Sequence, residues 1–157
     1  MNPITPCLWL DGQAEEAAAF YVSVFPNSEV RSVSRYGEGA PFPAGTALVV
    51  DFVINGAPFQ VINGGPQFVF SEAISFVVDA ATQDEIDRYW DVLTADGGEP
   101  SMCGWLKDKY GLSWQIVPPI LGQLMSDPDR DKADRVMQAM LQMQKLDIAS
   151  LQAAYDS

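Results

Sequence analysis

Two glutamines sit in one repeated phrase. Gly56-Ala57-Pro58-Phe59-Gln60-Val61-Ile62 and Gly111-Leu112-Ser113-Trp114-Gln115-Ile116-Val117 both read glycine, two spacers, an aromatic residue, Gln and two β-branched residues. An amide side chain offers N–H donors and a carbonyl acceptor, so a matched pair suits a neutral polar ligand better than an anion. Each phrase follows a segment of similar pattern: Glu16, Phe20-Tyr21 and Val24 before the first, Glu85, Tyr89-Trp90 and Leu93 before the second. A duplicated module with a polar residue at the same place in each copy points to a pocket between two halves.

Few other residues could carry chemistry. The chain has no histidine, which removes the commonest general base and transition-metal ligand and excludes Ser-His-Asp and Cys-His catalysis. Two cysteines, Cys7 and Cys103, cannot build a disulfide framework or a four-cysteine zinc site. Both are expected to pack as small hydrophobes; Lys107 and Lys109 lie near Cys103 in sequence, and no cation that would favour a thiolate lies near Cys7. The carboxylate pairs Glu15-Glu16 and Asp84-Glu85 fall at helix N-termini, where they complement the macrodipole. Glu38 and Glu72 flank loops at the expected pocket mouth and are the carboxylates placed for a general base. Of the four tryptophans, Trp90 reads as helix core. Trp9 and Trp105, with Tyr36 and Phe42, are candidates to line an aromatic ligand site.

At 157 residues the chain fits one domain with a sizeable core. A hydrophobic share of 48% with mean hydropathy near zero marks a globular protein. A net charge of −12 with only nine Lys and Arg argues against nucleic acid and anionic membranes as partners. No apolar run reaches the roughly 18–20 residues that span a bilayer, and Met1-Asn2-Pro3-Ile4 does not read as a signal peptide. A cytoplasmic location is expected.

The elements that must position these residues follow from periodicity. Residues 4–10 alternate as a strand, with Thr5, Cys7 and Trp9 on one face and Ile4, Leu8 and Leu10 on the other. A helix follows over about 14–25, its stripe formed by Ala17, Phe20, Tyr21 and Val24, and Pro26-Asn27 ends it. Strands are predicted at 29–36, 46–54 and 57–62. Asn55-Gly56 joins the last two as a type I′ hairpin. The second module restarts with a strand at 73–78. Thr82-Gln83-Asp84-Glu85 is a capping box, opening a helix whose apolar face is Ile86, Tyr89, Trp90 and Leu93. Asp96-Gly97-Gly98 closes it. Strands near 99–103, 105–107 and 112–117 complete the module at Pro118-Pro119. In the tail, Asp127-Pro128 predicts an N-cap and first helical proline, followed by a stripe of Ala133, Val136, Met137, Met140 and Leu141. Asp147 opens a last helix carrying Ile148, Leu151 and Tyr155. The predicted organisation is a β-α-β-β-β module over 1–67, a second over 68–119 and a helical segment over 120–157.

Tandem β-α-β-β-β modules resemble the vicinal oxygen chelate superfamily of glyoxalase I, extradiol dioxygenases and bleomycin- and fosfomycin-resistance proteins. Gly-Glu-Gly at 37–39, Asn-Gly-Gly-Pro at 63–66, Glu-Ala-Ile-Ser-Phe at 72–76, Asp-Arg-Tyr-Trp at 87–90 and Ala-Asp-Gly-Gly at 95–98 resemble its PhnB-like branch more closely. So do Cys-Gly-Trp-Leu-Lys-Asp-Lys-Tyr-Gly at 103–111 and Ser-Trp-Gln-Ile-Val-Pro at 113–118. That branch carries the label 3-demethylubiquinone-9 3-methyltransferase. The resemblance implies an α+β fold in which two modules curve mixed sheet around a cavity, and a homodimer, sometimes with modules exchanged. The stripe of Met137, Met140 and Met143 would then face either the partner or the protomer's own core.

Metal-dependent members place ligands on the first and last strands of each module. The implied positions here are Thr5, Gln60, Ala73 and Gln115, with Cys7 and Ser75 as register alternatives. None is His, Asp or Glu. Two neutral amides leave a divalent charge uncompensated, so neither a metal nor another cofactor is expected. Methyl transfer from S-adenosylmethionine would need a glycine-rich turn between a buried strand and a helix. Gly37-x-Gly39 runs into Pro41, Gly64-Gly65 into Pro66, and Gly97-Gly98 ends a helix. The expectation is therefore a small, fairly apolar or aromatic molecule bound in a metal-free cavity lined by Thr5, Cys7, Trp9, Tyr36, Phe42, Gln60, Ser75, Trp105 and Gln115. The rivals are a lyase, isomerase or dioxygenase with non-standard metal ligands, and a structural dimer with a vestigial cavity.

Overall fold

The Asn55-Gly56 turn sets the register of the first sheet. Both residues take positive φ, 47° and 82°, the type I′ geometry whose twist matches that of the flanking strands. In the computed structural model, which describes residues 4–157, this hairpin joins β3 (Ala47–Ile54) to β4 (Ala57–Asn63), with Asp51 opposite Gln60. β1 (Cys7–Leu10) lies parallel to β4, Cys7 opposite Gln60, and β2 (Glu29–Arg35) runs antiparallel to β3. The strand order is β1-β4-β3-β2.

One face of this sheet is apolar because α1 (Ala14–Val24) covers it. Ala14, Ala17, Ala18, Tyr21 and Val24 are buried against the strands. Tyr21 stacks on Phe52 at 6.2 Å, and Phe52 meets Phe59 at 5.7 Å. Phe20, expected in the stripe, is only half-buried; the small Ala14 and Ala18 bring the helix close enough to the sheet to take its place. Buried Asn63 ties the helix to the strands: its Oδ1 accepts from Ala14 N at 2.9 Å and its Nδ2 donates to Ala47 O at 2.8 Å.

The second sheet repeats the first. β5 (Ser75–Asp79) lies parallel to β8 (Ser113–Val117), β7 (Trp105–Lys107) is antiparallel to β8, and the two-residue β6 (Glu99–Pro100) completes the order β5-β8-β7-β6. β5 starts at Ser75 rather than 73, and β6 stops at Pro100, after which Ser101 N still donates to Trp105 O at 2.9 Å as the chain turns into β7. α2 (Gln83–Thr94) opens with the expected capping box, Thr82 and Glu85 each bonding the other's backbone. It buries Ile86, Tyr89, Trp90 and Leu93. Asp108, 2% exposed, organises the β7–β8 turn by accepting from Tyr110 N, Leu112 N and Trp114 Nε1 at 2.9–3.1 Å.

Three further helices pack around their own core: α3 (Pro119–Met125), α4 (Arg130–Leu141) and α5 (Ile148–Asp156). Pro118-Pro119 does not simply end the module, since Pro119 occupies the first helical position of α3, where a missing N–H costs nothing. The N-cap of α4 is Asp129, which accepts from Asp131 N and Lys132 N, rather than Asp127. Asp127 accepts from Asp129 N and from the Tyr155 hydroxyl at 2.6 Å instead. Leu121, Leu124, Val136, Leu146 and Leu151 form the core, and Met140 and Met143 pack against it. Those two methionines therefore face the protomer's own helices.

By contact the chain divides into two compact units, Met1–Phe70 and Ser71–Ser157. The fold is α+β, with two four-stranded mixed sheets and five α-helices among the described residues. No helix among them is long and apolar enough to cross a membrane.

Candidate functional site

Each sheet has one face left uncovered by its helix, and strand alternation puts the glutamines there. In the first unit, Gln60 is in register with Cys7 on β1 and Asp51 on β3, and Asp51 with Ser32 on β2. These four side chains form a row across the sheet. Gln60 Nε2 donates to Asp51 Oδ1 at 2.6 Å, and Ser32 Oγ donates to Asp51 Oδ2 at 2.7 Å. The Ser32 hydroxyl, then the Gln60 amide, hold the Asp51 carboxyl below the usual carboxylate range against the opposing effect of burial. Burial, then the Asp51 charge, push the Cys7 thiol up, so Cys7 stays a thiol at neutral pH even though it is exposed.

In the second unit, Gln115 is in register with Val77 on β5 and Trp105 on β7. Its Nε2 donates to Ser75 Oγ at 2.8 Å. The two glutamines thus turn their amides opposite ways, Gln60 inward to β3 and Gln115 outward to β5. The cause lies in the neighbour: the position opposite Gln60 on β3 is a carboxylate, and the position opposite Gln115 on β7 is an indole. Register also aligns Thr5 with Ser75, each two residues before the strand partner of its glutamine, so Ser75 rather than Ala73 is the counterpart of Thr5.

Other candidates use their polar groups on backbone. Trp9 Nε1 donates to Gly65 O at 2.8 Å, and its ring meets Phe68 edge-on at 5.0 Å. A Cβ at Gly64 would lie 2.3 Å from that ring, so the glycine there is sterically required. Tyr36 donates its hydroxyl to Asn63 O at 2.7 Å and stacks on Phe42 at 5.3 Å. Trp9 and Tyr36 therefore grip the same short segment where β4 ends, Asn63 to Gly65. Trp105 is half-buried beside Gln115. Glu72 is paired with Lys107 at 2.5 Å, which holds its carboxyl below the usual range; Glu38 is exposed.

Sequence reasoning missed Asp51, Ser32 and Ser113. Asp51 had a visible signal: it is a lone carboxylate inside the apolar run Ala47-Leu48-Val49-Val50-Asp51-Phe52-Val53-Ile54. Ser32 had none, because its reach to Asp51 depends on a bulge in β2. Ser113, 1% exposed, lies in register between Ser75 and Lys107, and its hydroxyl has no hydrogen-bond partner among the described residues.

The positions implied for metal ligands do not fit a divalent ion. Thr5, Gln60, Ser75 and Gln115 offer only neutral oxygens, and both amides already direct N–H groups at neighbours. No group of three or more His, Cys, Asp or Glu side chains placed to hold an ion occurs among the described residues.

Comparison with known proteins agrees with this architecture. Residues 2–117 match the family model described as 3-demethylubiquinone-9 3-methyltransferase. The chain is similar to the PhnB protein from Bacillus cereus, with 38% identity, coverage of 74% of this chain and 99% of that one, and a TM-score of 0.69. Protein PA1353 from Pseudomonas aeruginosa shares 18% identity over 74% of this chain and 96% of its own, with a TM-score of 0.60. A variant of the fosfomycin resistance protein FosX from Listeria monocytogenes, complexed with Mn(II) and 1S,2S-dihydroxypropylphosphonic acid, shares 19% identity. It covers 78% of this chain and 97% of its own, with a TM-score of 0.54. The last two likenesses show the fold alone. No curated protein matches the chain.

Proposed function

The chain belongs to the PhnB-like family of the glyoxalase, bleomycin-resistance and fosfomycin-resistance superfamily, and from that membership we propose that it binds a small, fairly apolar or aromatic molecule without a metal ion. The open faces of the two sheets are the binding surfaces.

One observation carries this reading. The same strand position in each unit bears a half-buried glutamine whose amide nitrogen is anchored, to Asp51 in one and to Ser75 in the other. Anchoring the nitrogen fixes which end of the amide is which and leaves each carbonyl oxygen without a partner among the described residues. A preset acceptor beside an indole or an apolar wall is what orients a small ligand in a largely apolar site. The unpaired Ser113 hydroxyl adds a further polar group near Gln115, since buried polar groups normally find partners.

Methyl transfer is not part of the reading, although the family model bears that description. Four-stranded mixed sheets differ from the doubly wound parallel sheet that offers a cofactor its glycine-rich first turn. The β1–α1 turn here, Asp11-Gly12-Gln13, contains one glycine. A homodimer belongs to the proposal as well: Phe68, Val69, Ile74 and Val77 are 60–90% exposed, and such apolar surface favours self-association.

A fragment screen by NMR on the intact protein tests the function. Hits are expected to shift the side-chain amide signals of Gln60 or Gln115, and Gln60→Leu or Gln115→Leu should weaken the matching hits about tenfold. Hits that ignore both amides would overturn the assignment of the site. Methyl transfer or tight S-adenosylmethionine binding would overturn the function. Light scattering that gives a 17.2 kDa particle at micromolar concentration would remove the dimer.

A further inference from the structure

We propose that the groove on the open face of the first sheet takes a small zwitterion of amino-acid type, its ammonium group on Asp51 and its carboxylate on Arg31. This rests on the reading of that face as a binding surface and names the class of molecule.

The groove encloses about 340 Å³ and is lined by Thr5, Arg31, Ser32, Asp51, Pro58 and Gln60 over the buried Phe52 and Phe59. That volume suits a ligand of roughly amino-acid size. Two groups of opposite charge line it, Asp51 and Arg31. Asp51 forms no ion pair among the described residues. Gln60 and Ser32 each occupy one of its two oxygens, and an ionised carboxylate has about four acceptor sites. Positions therefore remain for an ammonium group, in a groove that Thr5 and Gln60 also line.

Arg31 reaches the same groove through a local irregularity. Val30 pairs with Phe52, and Ser32, not Arg31, pairs with Asp51. Arg31 is thus the extra residue of a β-bulge, a device that re-aims side chains. The bulge does two things at once: it sets the Ser32 hydroxyl on the Asp51 carboxylate and turns Arg31 to the groove wall. The ion pair of Arg31 with Glu29 is loose, 3.4 Å between side chains 58% and 69% exposed, so an incoming carboxylate can displace it. A guanidinium is well matched to a carboxylate in two-point contact.

The same pair selects against simpler ions. A lone cation meets Arg31, and a lone anion meets Asp51, so each is repelled by one wall. Pro58 supplies an apolar surface for the ligand's side chain.

Calorimetric titration of the full chain with four molecules sharing one phenyl body tests this: L-phenylalanine, 2-phenylethylamine, 3-phenylpropanoate and 3-phenylpropanamide. L-phenylalanine is expected to bind at least tenfold more tightly than each of the others. Asp51→Asn should abolish its advantage over 3-phenylpropanoate, and Arg31→Gln its advantage over 2-phenylethylamine, with both variants checked for unchanged folding by circular dichroism. Equal binding of all four would overturn the zwitterion assignment and leave the binding function standing. Absence of binding by all four, or binding of L-phenylalanine that neither substitution weakens, would also overturn it. The fragment screen judges the wider reading separately.

Discussion

Gln60 and Asp51 face each other across β4 and β3, amide nitrogen to carboxylate oxygen, at 2.6 Å. Asp51 thus puts a charge on a sheet face where the repeated phrase at 56–62 shows only an amide. It also makes that face pH-sensitive.

The Asp51 carboxyl is depressed by Ser32 and Gln60. A depressed carboxyl stabilises the fold above its unfolded pKa of about 3.9 and loses that contribution as pH falls through its lower folded value. Urea unfolding of the native chain and Asp51→Asn should show a stability difference that is constant from neutral pH to about pH 5 and narrows below pH 4. A difference that persists unchanged into acid would contradict the bonding described.

Asn63→Ala should be among the most damaging single changes in the first unit. It leaves Ala14 N and Ala47 O without partners in a buried setting. Each such loss costs about 1–3 kcal/mol, so a total of about 2–6 kcal/mol is expected in chemical denaturation, with weakened amide protection at the start of α1.

Gly64→Ala should displace the Trp9 ring, because its Cβ would lie 2.3 Å from that ring. Overpacking of this kind costs about 1–3 kcal/mol. Tryptophan fluorescence should shift to the red as the indole leaves Gly65 O and Phe68, and the Trp9→Leu background should relieve most of the thermal destabilisation. Equal destabilisation in both backgrounds would contradict the contact.

The segment before α5 is held by a side chain acting as a strand. Gln83 Nε2 donates to Leu146 O at 3.1 Å and its Oε1 accepts from Ile148 N at 3.0 Å. Leu146 is fully buried. Leu146→Ala should cost about 2–5 kcal/mol, and Gln83→Ala should speed hydrogen exchange at Ile148 with little effect on the first sheet. Uniform loss of protection across both sheets would refute so local a role.

Metal addition should leave the protein unchanged. With neutral oxygens at Thr5, Gln60, Ser75 and Gln115, neither zinc nor manganese is expected to raise the melting temperature, and chelation should not lower it. Stoichiometric tightly bound metal in the purified protein would overturn the metal-free reading.

Much of the fold was legible because it rests on local rules. The Asn55-Gly56 turn, the Thr82–Glu85 capping box and the glutamine repeat each depend on residues adjacent in the chain. The helix start near Asp127 was misread because Asp127 and Asp129 both offer a capping carboxylate. Tyr155, 28 residues on, engages Asp127 and leaves Asp129 to cap α4.

By itself the sequence determined the two matched modules, the faces of their strands and the amide at the same place in each. Those follow from periodicity and turn chemistry, which act over a few residues. Only the tertiary structure decided that Gln60 turns to Asp51 while Gln115 turns to Ser75, and that a bulge at Arg31 brings Ser32 onto the Asp51 carboxylate. Strand register joins residues far apart in the chain, and a side chain orients toward the partner that register supplies.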